Sequence, residues 1–326
     1  MSIVHENKIK TLENIINKSN MKLNGLNYVP LIPKNSSKYS LESGKILVIG
    51  LDVAHPKHFA AANEVADPSV VGICANMVEN KHNFVGDYFF QTARQESIDK
   101  QQLKQRIHWI LRSLQKNRPD TCPQLVVVLR DGLSEGQFKM AIQDELAAIK
   151  EACQEMRLKN LKFVLLIATK RHSKRIFALQ NGIKNVAPGS VVEEKYVRED
   201  VVEWFQLPHK AIKGTAQAVQ YALLVNELNI PTSDLQAFLT TQCFNHQIVT
   251  SAVSLPEPVF QADELAKRGY NNFETMRRLE PGLIPIENKK EGAKEEKRKQ
   301  QQVDVEALSL LLSYKDSKLE GTRFTA

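Results

Sequence analysis

The chain is poor in several features that mark other classes of protein. Its 326 residues include two tryptophans and four cysteines, and the cysteines are far apart, with no Cys-x-x-Cys pair (Cys74, Cys122, Cys153 and Cys243). This argues against a disulfide framework or a zinc site and indicates reduced core thiols in an intracellular protein. No segment approaches 18 consecutive apolar residues, and the amino terminus MSIVHENKIK lacks the apolar centre of a secretory signal. We therefore expect no membrane span and no membrane partner.

The remaining composition suits one large domain or two small ones with a substantial core. The net charge of +7 is compatible with a polyanionic partner, although many soluble proteins are mildly basic. Residues 287–302 (ENKKEGAKEEKRKQQQ) are charged and almost free of apolar side chains, which predicts a disordered surface insertion. A nuclear-localisation signal is a weaker interpretation because glutamates interrupt the basic run.

The most informative stretch is residues 121–140, TCPQLVVVLRDGLSEGQFKM. Residues 125–129 form an unbroken apolar run, typical of a strand covered on both faces. Asp131 ends the run, Gly132 permits a tight turn, and Ser134 with Gln137 forms a capping box that opens a helix. The apolar face of that helix is predicted at Phe138, Ile142, Leu146 and Ile149. An aspartate at this position is commonly a turn or cap residue, but open α/β sheets also bind ligands there.

A second copy of this arrangement lies upstream. Residues 45–50 (KILVIG) form another apolar run that leads into Asp52. If the two strands are parallel neighbours, Asp52 and Asp131 end about 5 Å apart. Two carboxylates at that distance repel each other unless a cation lies between them, and Mg²⁺ is the natural candidate. Two unrelated strand-end turns would explain the same residues, and spacing alone does not decide between the interpretations.

The rest of the chain is read from hydrophobic periodicity and breakers. A connector without a core to bury is predicted at residues 30–43, and a helix is predicted after Pro256 and Pro258. Further strands are predicted at residues 70–77, 83–90, 161–168 and 190–193, and further helices at 8–23, 97–115, 216–227, 232–243 and 303–314. There are no internal repeats.

Several motifs together resemble the Piwi domain of Argonaute proteins. They occur in the order of that family and cover the chain from about residue 10 to its end: DVAHP at 52–56, ARQES at 93–97, RDGLSEGQF at 130–138, KRHSKR at 170–175, PGSVVE at 188–193, VSLPEPVFQADELAKR at 253–268 and the terminal Phe-Thr-Ala. The resemblance implies an α/β, ribonuclease H-like mixed sheet flanked by helices. It also implies the end of a Mid domain at 1–29, a connector at 30–44 and the Piwi domain at 45–326.

The resemblance further implies a catalytic tetrad of Asp52, Glu96, Asp131 and Asp263. Three of these acids, Asp52, Asp131 and Asp263, match the ligands of two Mg²⁺ or Mn²⁺ ions, and Glu96 matches the glutamate that completes the site from a loop. Spacing alone would explain Glu96 as an acid near a helix amino terminus. Glu264 is a competing acid beside Asp263, and only the alignment with the family prefers the latter.

Nucleic-acid contacts are implied in the same way. Lys18 and Lys22 lie one helical turn apart and match two lysines that bind the guide 5′-phosphate, and Arg268 matches an arginine of that pocket. On their own, the lysines read as a solvated pair. Residues matching contacts to the nucleic-acid backbone are Lys170, Arg171, His209, Thr215 and Ser254. Three positions that are usually basic in the family are uncharged here, namely Gln217, Ile248 and Ser251, which should weaken binding to guide phosphates.

The implied function is that of a small-RNA-guided silencing factor, a Mg²⁺-dependent endoribonuclease that cuts target RNA paired to a guide. Its partners would be the guide RNA, the complementary target RNA and proteins of a silencing complex. The expected location is the cytoplasm, with the nucleus as the alternative. Two other interpretations stay open: a silencing factor that binds RNA without cutting it, and a fragment of a full Argonaute that lacks the amino-terminal, PAZ and most Mid portions.

Overall fold

The computed structural model describes residues 8–56, 66–179, 182–195, 197–287 and 302–325. Residues 288–301 of the predicted surface insertion lie outside these ranges, so that prediction is not tested. Within the described ranges, every helix is too short or too polar to cross a bilayer.

The first half of the chain supplies most of the central strands. Its elements are α1 (Ile9–Lys22), β1 (Ile46–Ala54), β2 (Ser69–Ala75), β3 (Val85–Gln91), α2 (Lys100–Asn117), β4 (Leu125–Asp131) and β5 (Lys162–Thr169). Between β4 and β5 lies a continuous helical run made of a 3₁₀ turn (Glu135–Gln137), α3 (Phe138–Met140), a π-helical segment (Ala141–Leu146) and α4 (Ala147–Glu155).

The second half completes the sheet and adds the helices of one face. Its elements are β6 (Phe177–Leu179), β7 (Ile183–Asn185), β8 (Ser190–Val192), β9 (Val202–Leu207), β10 (Val219–Asn226), α5 (Thr232–Phe244), α6 (Glu257–Leu279), a 3₁₀ turn (Pro281–Leu283) and α7 (Val305–Leu312).

Eight strands form one mixed sheet in the order β3-β2-β1-β4-β5-β10-β9-β8, and β6 pairs with β7 in a separate hairpin. The central strands β1, β4 and β5 run parallel, whereas the strands outside them pair antiparallel with their neighbours. A mixed sheet of this kind was the predicted fold class. Because successive side chains of a strand point to opposite faces, the apolar runs of β1, β4 and β5 can pack against helices on both sides.

The sheet is the middle of three layers. On one face, Ile49 and Leu51 of β1 join a core with Ile107 of α2 and Ile149 of α4. On the other face, Val48 joins a core that includes Phe238 and Leu239 of α5 and Val259 and Leu265 of α6. The continuous apolar strands are therefore explained by burial on both faces.

Two strands of the eight-stranded sheet, and both strands of the separate hairpin, were missed by the sequence prediction. Residues 216–227 were predicted to be a helix, but Val219–Asn226 forms β10, between β5 and β9. The apolar side chains of this segment suit either element, and pairing with β5 on one side and β9 on the other decides in favour of the strand. Strand β9 lies in a segment for which no strand was predicted. Its Trp204 is fully buried and stacks on Tyr221 of β10 with ring centroids 5.7 Å apart.

Three smaller expectations were also wrong. The connector at 30–43 forms two 3₁₀ turns and buries Leu41, which is 2% exposed. Ile142 belongs to the π-helical segment and is exposed, because the wider turn shifts the helical face predicted from a regular spacing. Cys74, Cys153 and Cys243 are buried free thiols as expected, but Cys122 is exposed.

Candidate active site

The two central aspartates lie side by side, as the sequence predicted. Strand β1 pairs in parallel with β4, and the pairing of Leu51 with Arg130 places the next residues, Asp52 and Asp131, level with each other. Asp131 is the last residue of β4. Asp52 was expected to follow its strand, but β1 continues to Ala54, because β2 pairs with this extension. Both aspartates are partly buried.

Helix α6 brings the third aspartate to the same place through two glycines. Asp52 pairs with Gly72 of β2, and a Cβ atom at Gly72 would lie 2.0 Å from the carbonyl oxygen of Ala262. A Cβ atom at Gly50 would likewise lie 2.0 Å from the carbonyl oxygen of Pro258. Only glycine permits this close approach of helix backbone to sheet. Asp263 follows Ala262 directly, so the contact at Gly72 sets its position beside Asp52.

These two glycines are functional positions that the sequence reasoning missed. The signal was present, because a glycine inside an otherwise apolar strand often marks a site where another backbone comes close. Both strands contain such a glycine, KILVIGLDV and SVVGICA.

The electrostatics of the aspartates show that they interact. Burial, together with the negative charges of Asp52 and Asp263, raises the pKa of Asp131 to about 7, while Arg130 and Arg171 act in the opposite direction. Burial also raises the pKa of Asp52, with Arg130 lowering it and Asp263 raising it again. Asp52 and Asp131 both have raised pKa values beside the charge of Asp263, so a cation bound between these carboxylates would stabilise their ionised forms.

Asp263 already has a cationic partner within the chain. Its Oδ2 atom lies 2.5 Å from Nζ of Lys267, and the same Nζ atom lies 3.2 Å from Oε1 of Glu264. In the described part of the chain, no three His, Cys, Asp or Glu side chains are arranged as a metal-binding cluster. The carboxylate oxygens of Asp52, Asp131 and Asp263 fit a hard divalent cation chemically, and their role as ligands stays a prediction.

Glu96 lies in the loop between β3 and α2, above the ends of β1 and β4. Its Oε2 atom accepts a hydrogen bond from Nε2 of Gln137 at 2.7 Å and lies 3.5 Å from Nε2 of His55. Gln137 belongs to the predicted capping box with Ser134, which is present. The partners of Glu96 therefore come from the segments that follow Asp52 and Asp131. We call Asp52, Asp131 and Asp263 together the acidic group. The Glu96 side chain is 58% exposed, so it lies at the outer rim of this group.

Several residues predicted to contact a nucleic-acid backbone come together beside this group. Lys170, which follows β5, donates a hydrogen bond from Nζ to Oγ of Ser254 at 2.8 Å. Burial and the charge of Lys170 lower the pKa of His209. The side chain of Gln217, where a basic residue was expected, donates to the backbone oxygen of Lys170.

The other two predicted backbone contacts are exposed. Arg171 follows Lys170 and is close enough to lower the pKa of Asp131. Thr215 ends the loop that begins at His209. That loop was expected to precede a helix, but it leads into β10.

The predicted phosphate-binding residues occupy two neighbouring elements. Lys18 and Lys22 are exposed on α1, and Arg268 is exposed on α6. The two helices are joined by the buried Arg323, whose guanidinium contacts Sδ of Met21 on α1 and the carboxylate of Glu257 on α6. Convergence of the three cations on one phosphate stays a prediction. Sequence reasoning did not identify Arg323 or Glu257.

A mixed sheet with aspartates of two neighbouring strands and one helix brought together is typical of a particular class of protein, and comparison of the sequence with known families identifies that class. The Piwi domain family model matches residues 1–274, and the chain belongs to this family. It is 31% identical over 278 residues to Argonaute protein wago-1 of Caenorhabditis elegans, and 31% identical over 269 residues to Protein argonaute-2 of Drosophila melanogaster. These alignments cover 82% and 80% of the chain but only 28% and 21% of the relatives.

Solved structures agree with this assignment. The carboxyl-terminal lobe of a budding yeast Argonaute superposes with a TM-score of 0.71 at 26% identity, covering 83% of this chain and 55% of that one. Kluyveromyces polysporus Argonaute with a guide RNA gives a TM-score of 0.71 at 25% identity, covering 83% and 31%. The chain is thus a Piwi domain of the Argonaute type with the ribonuclease H-like fold, which confirms the resemblance.

Proposed function

We propose that this chain is the Piwi portion of an Argonaute-type silencing factor that hydrolyses target RNA paired to a small guide RNA. The observation that carries the proposal is the level placement of Asp52 and Asp131 on adjacent parallel strands, with Asp263 brought beside them by α6. Partly buried carboxylates placed side by side, with the pKa values of Asp52 and Asp131 raised, are a costly arrangement in a purely structural role. They suit a centre that holds divalent cations against a phosphodiester.

Each acid has a separate role in this proposal. Asp52, Asp131 and Asp263 would hold Mg²⁺ or Mn²⁺ ions, with Asp263 completing the set of ligands that the two strands supply. Bound ions of this kind favour deprotonation of water and stabilise the charge on a leaving oxygen. Glu96, held by Gln137 and His55 at the rim of these acids, would help to orient a water molecule at the site. The products would be a 3′-hydroxyl and a 5′-phosphate.

The basic residues would hold the RNA in register for this reaction. Lys170, with Ser254 and His209 beside it, lies one residue beyond β5, close to the strand that ends in Asp131. Backbone contacts of this type position an RNA strand without reading its sequence. Sequence specificity would come from base pairing with the guide. The neighbour solved with a guide RNA supports a guide RNA as partner.

A silencing factor that binds RNA without cutting it is the second candidate. The uncharged residues Gln217, Ile248 and Ser251 favour it, because phosphate contacts normally supply much of the affinity for nucleic acids. The backbone oxygen of Ile248 instead accepts a hydrogen bond from Asn17 of α1 at 3.1 Å, an internal contact of the fold.

Cleavage of a labelled target separates the two candidates. With guide RNA and Mg²⁺ supplied, the wild type should cut the paired target, and Asp131→Ala should reduce the rate by at least roughly a thousandfold while RNA binding persists. Asp144→Ala is a matched control, because Asp144 is an exposed acid of the helical run that follows β4, and it should cut normally. Binding without cleavage by the wild type would favour the second candidate. Equal cleavage by wild type and Asp131→Ala would remove the nuclease assignment.

A further inference from the structure

The acidic group carries its own cations, and they differ in how firmly they are held. Arg130 is 3% exposed, and its Nε atom lies 3.2 Å from Oε2 of the buried Glu145. Arg130 also donates a hydrogen bond from Nη1 to the backbone oxygen of Asp131 at 2.7 Å. A guanidinium paired with a buried carboxylate in this way is expected to stay in place beside the acidic group.

Lys267 is held in a different way. It lies one turn after Asp263 on α6, and its side chain is 53% exposed. Among the described residues, the ion pairs of its ammonium group are with Asp263 and Glu264 of the same helix. Its charge also reaches Asp52, whose pKa it lowers. Exposed pairs at this spacing are individually weak, because water screens the charges. Lys267 can therefore leave Asp263 at little cost.

The position of Asp263 makes this pair more than a solvated surface contact. The ammonium group contacts Oδ2, one of the two oxygens that Asp263 could offer a metal ion, and it places a positive charge near Asp52. Two cations cannot use the same carboxylate oxygen without repulsion. Lys267 and a divalent ion must therefore exclude each other at Asp263.

We propose that Lys267 is an internal counter-ion of the acidic group that competes with divalent cations for Asp263 and so sets the metal affinity of this chain. The inference rests on the proposed function, since it takes the three aspartates as a cation site. Without metal, Lys267 neutralises Asp263; when an ion binds, the lysine side chain rotates into solvent. Arg130, fixed by Glu145, stays in place in both states.

Direct binding of Mn²⁺ to the purified 326-residue chain tests this without any assay of cleavage. Lys267→Met removes the charge and keeps the length of the side chain, and it should bind Mn²⁺ about three- to tenfold more tightly than the wild type in calorimetric titrations. Lys267→Arg keeps the charge and should bind like the wild type. Lys100→Met is the matched control, because Lys100 is 56% exposed and pairs with Glu151 at 2.7 Å on another helix; its affinity should not change.

A further variant assigns any gain to the acidic group. Adding Asp131→Asn to Lys267→Met should abolish the tight binding. Equal affinity in Lys267→Met and the wild type would overturn the inference while leaving the proposed function intact. The same gain in Lys100→Met would also overturn it, because the effect would then be one of net charge. Failure of both wild type and Lys267→Met to bind Mn²⁺ would overturn the inference and the metal-dependent function together.

Discussion

Two carboxylates of helix α6 have opposite surroundings. Glu257, in the first turn, is fully buried and meets the guanidinium of Arg323, Nδ1 of His246 at 2.8 Å and Nε2 of Gln261 at 2.7 Å. Asp263, six residues later, lies beside two other acids, and its cationic partner is the half-exposed Lys267. The oxygens of Glu257 are all bonded to donors within the fold, whereas Asp263 belongs to a group of acids with excess negative charge.

The contrast separates structural acids from functional ones. A buried carboxylate whose oxygens are all used by fixed donors has no capacity for a ligand, and it joins segments that are distant in sequence, as Glu257 does with Arg323 of the carboxyl-terminal segment. Acids that face each other lower the stability of the metal-free fold and gain most from an added cation. Burial alone would not distinguish the two kinds.

The largest expected effect comes from breaking the satisfied pair. Glu257→Leu leaves the guanidinium of Arg323, which is 1% exposed, buried without its counter-charge. Losses of this kind are typically about 3–5 kcal/mol of unfolding free energy. Urea denaturation of the metal-free chain should show this loss. Glu155→Gln, which removes a surface acid paired with Lys104 at 2.5 Å, should have a much smaller effect, because solvent screens exposed ion pairs.

A double variant sharpens this prediction. Glu257→Leu combined with Arg323→Met removes both charges, and it should regain much of the stability lost by Glu257→Leu, because no uncompensated charge stays buried. A double variant no more stable than the single one would show that the loss comes from packing, and the contrast between the two carboxylates of α6 would then not rest on charge.

The next largest effect is a pH dependence at the acidic group. The pKa of Asp131 is raised to about 7 in the folded chain by burial and by Asp52 and Asp263, against the partial compensation of Arg130 and Arg171. The folded chain therefore holds a proton that the unfolded chain has lost between about pH 4 and pH 7. Stability in the absence of metal should fall across this range, with a contribution from Asp131 of up to about 4 kcal/mol.

Asp131→Asn tests the sign of this effect. The variant has no ionisable group at that position, so its unfolding free energy should fall less between pH 4 and pH 7 than that of the wild type. Mg²⁺ should stabilise the wild type more at pH 8 than at pH 5, because the ion binds the ionised carboxylates. Identical pH profiles for wild type and variant would show that Asp131 ionises as an ordinary surface acid does.

The sequence predicted the core of the site because that part depends on local patterns. Continuous apolar runs indicate strands buried on both faces, and acids at the ends of two parallel neighbours must meet. Asp131 ends β4, and Asp52 lies level with it although β1 continues to Ala54. The family motifs added Asp263, which the structure places beside Asp52, and they brought together Lys170, His209 and Ser254.

The rest depends on contacts between distant segments. The segment Val219–Asn226 has no decisive local preference and becomes a strand because β5 and β9 flank it. The approach of α6 to the sheet is decided by Gly50 and Gly72 together with the backbone of a helix about 200 residues away. Arg323 could not be matched to Glu257 from sequence, since many cations and acids offer equivalent pairings until the fold selects one.

The smallest expected effect concerns a missing positive charge among the residues around Lys170. Here too, one side chain is already bonded within the fold and a neighbouring position differs from the family pattern. Lys170 donates a hydrogen bond to Ser254, and the neutral Gln217 occupies the position where the family pattern predicts a cation. Gln217→Arg should raise the affinity for single-stranded RNA a few-fold at low salt and steepen the slope of log affinity against log salt by about 0.7, the value for one added phosphate contact.

Fluorescence anisotropy of a labelled RNA between about 50 and 200 mM salt measures this slope. Gln124→Arg provides the control, because Gln124 is exposed and directly precedes β4, at the end of the strand opposite Asp131. It adds the same charge far from Lys170 and should leave the slope unchanged. If both variants steepened the slope equally, the gain would reflect net charge, and the residues around Lys170 would lose their assignment as the path of the RNA backbone. A steeper slope in Gln217→Arg alone would place a phosphate within reach of that position, next to the carboxylates proposed to cut the strand.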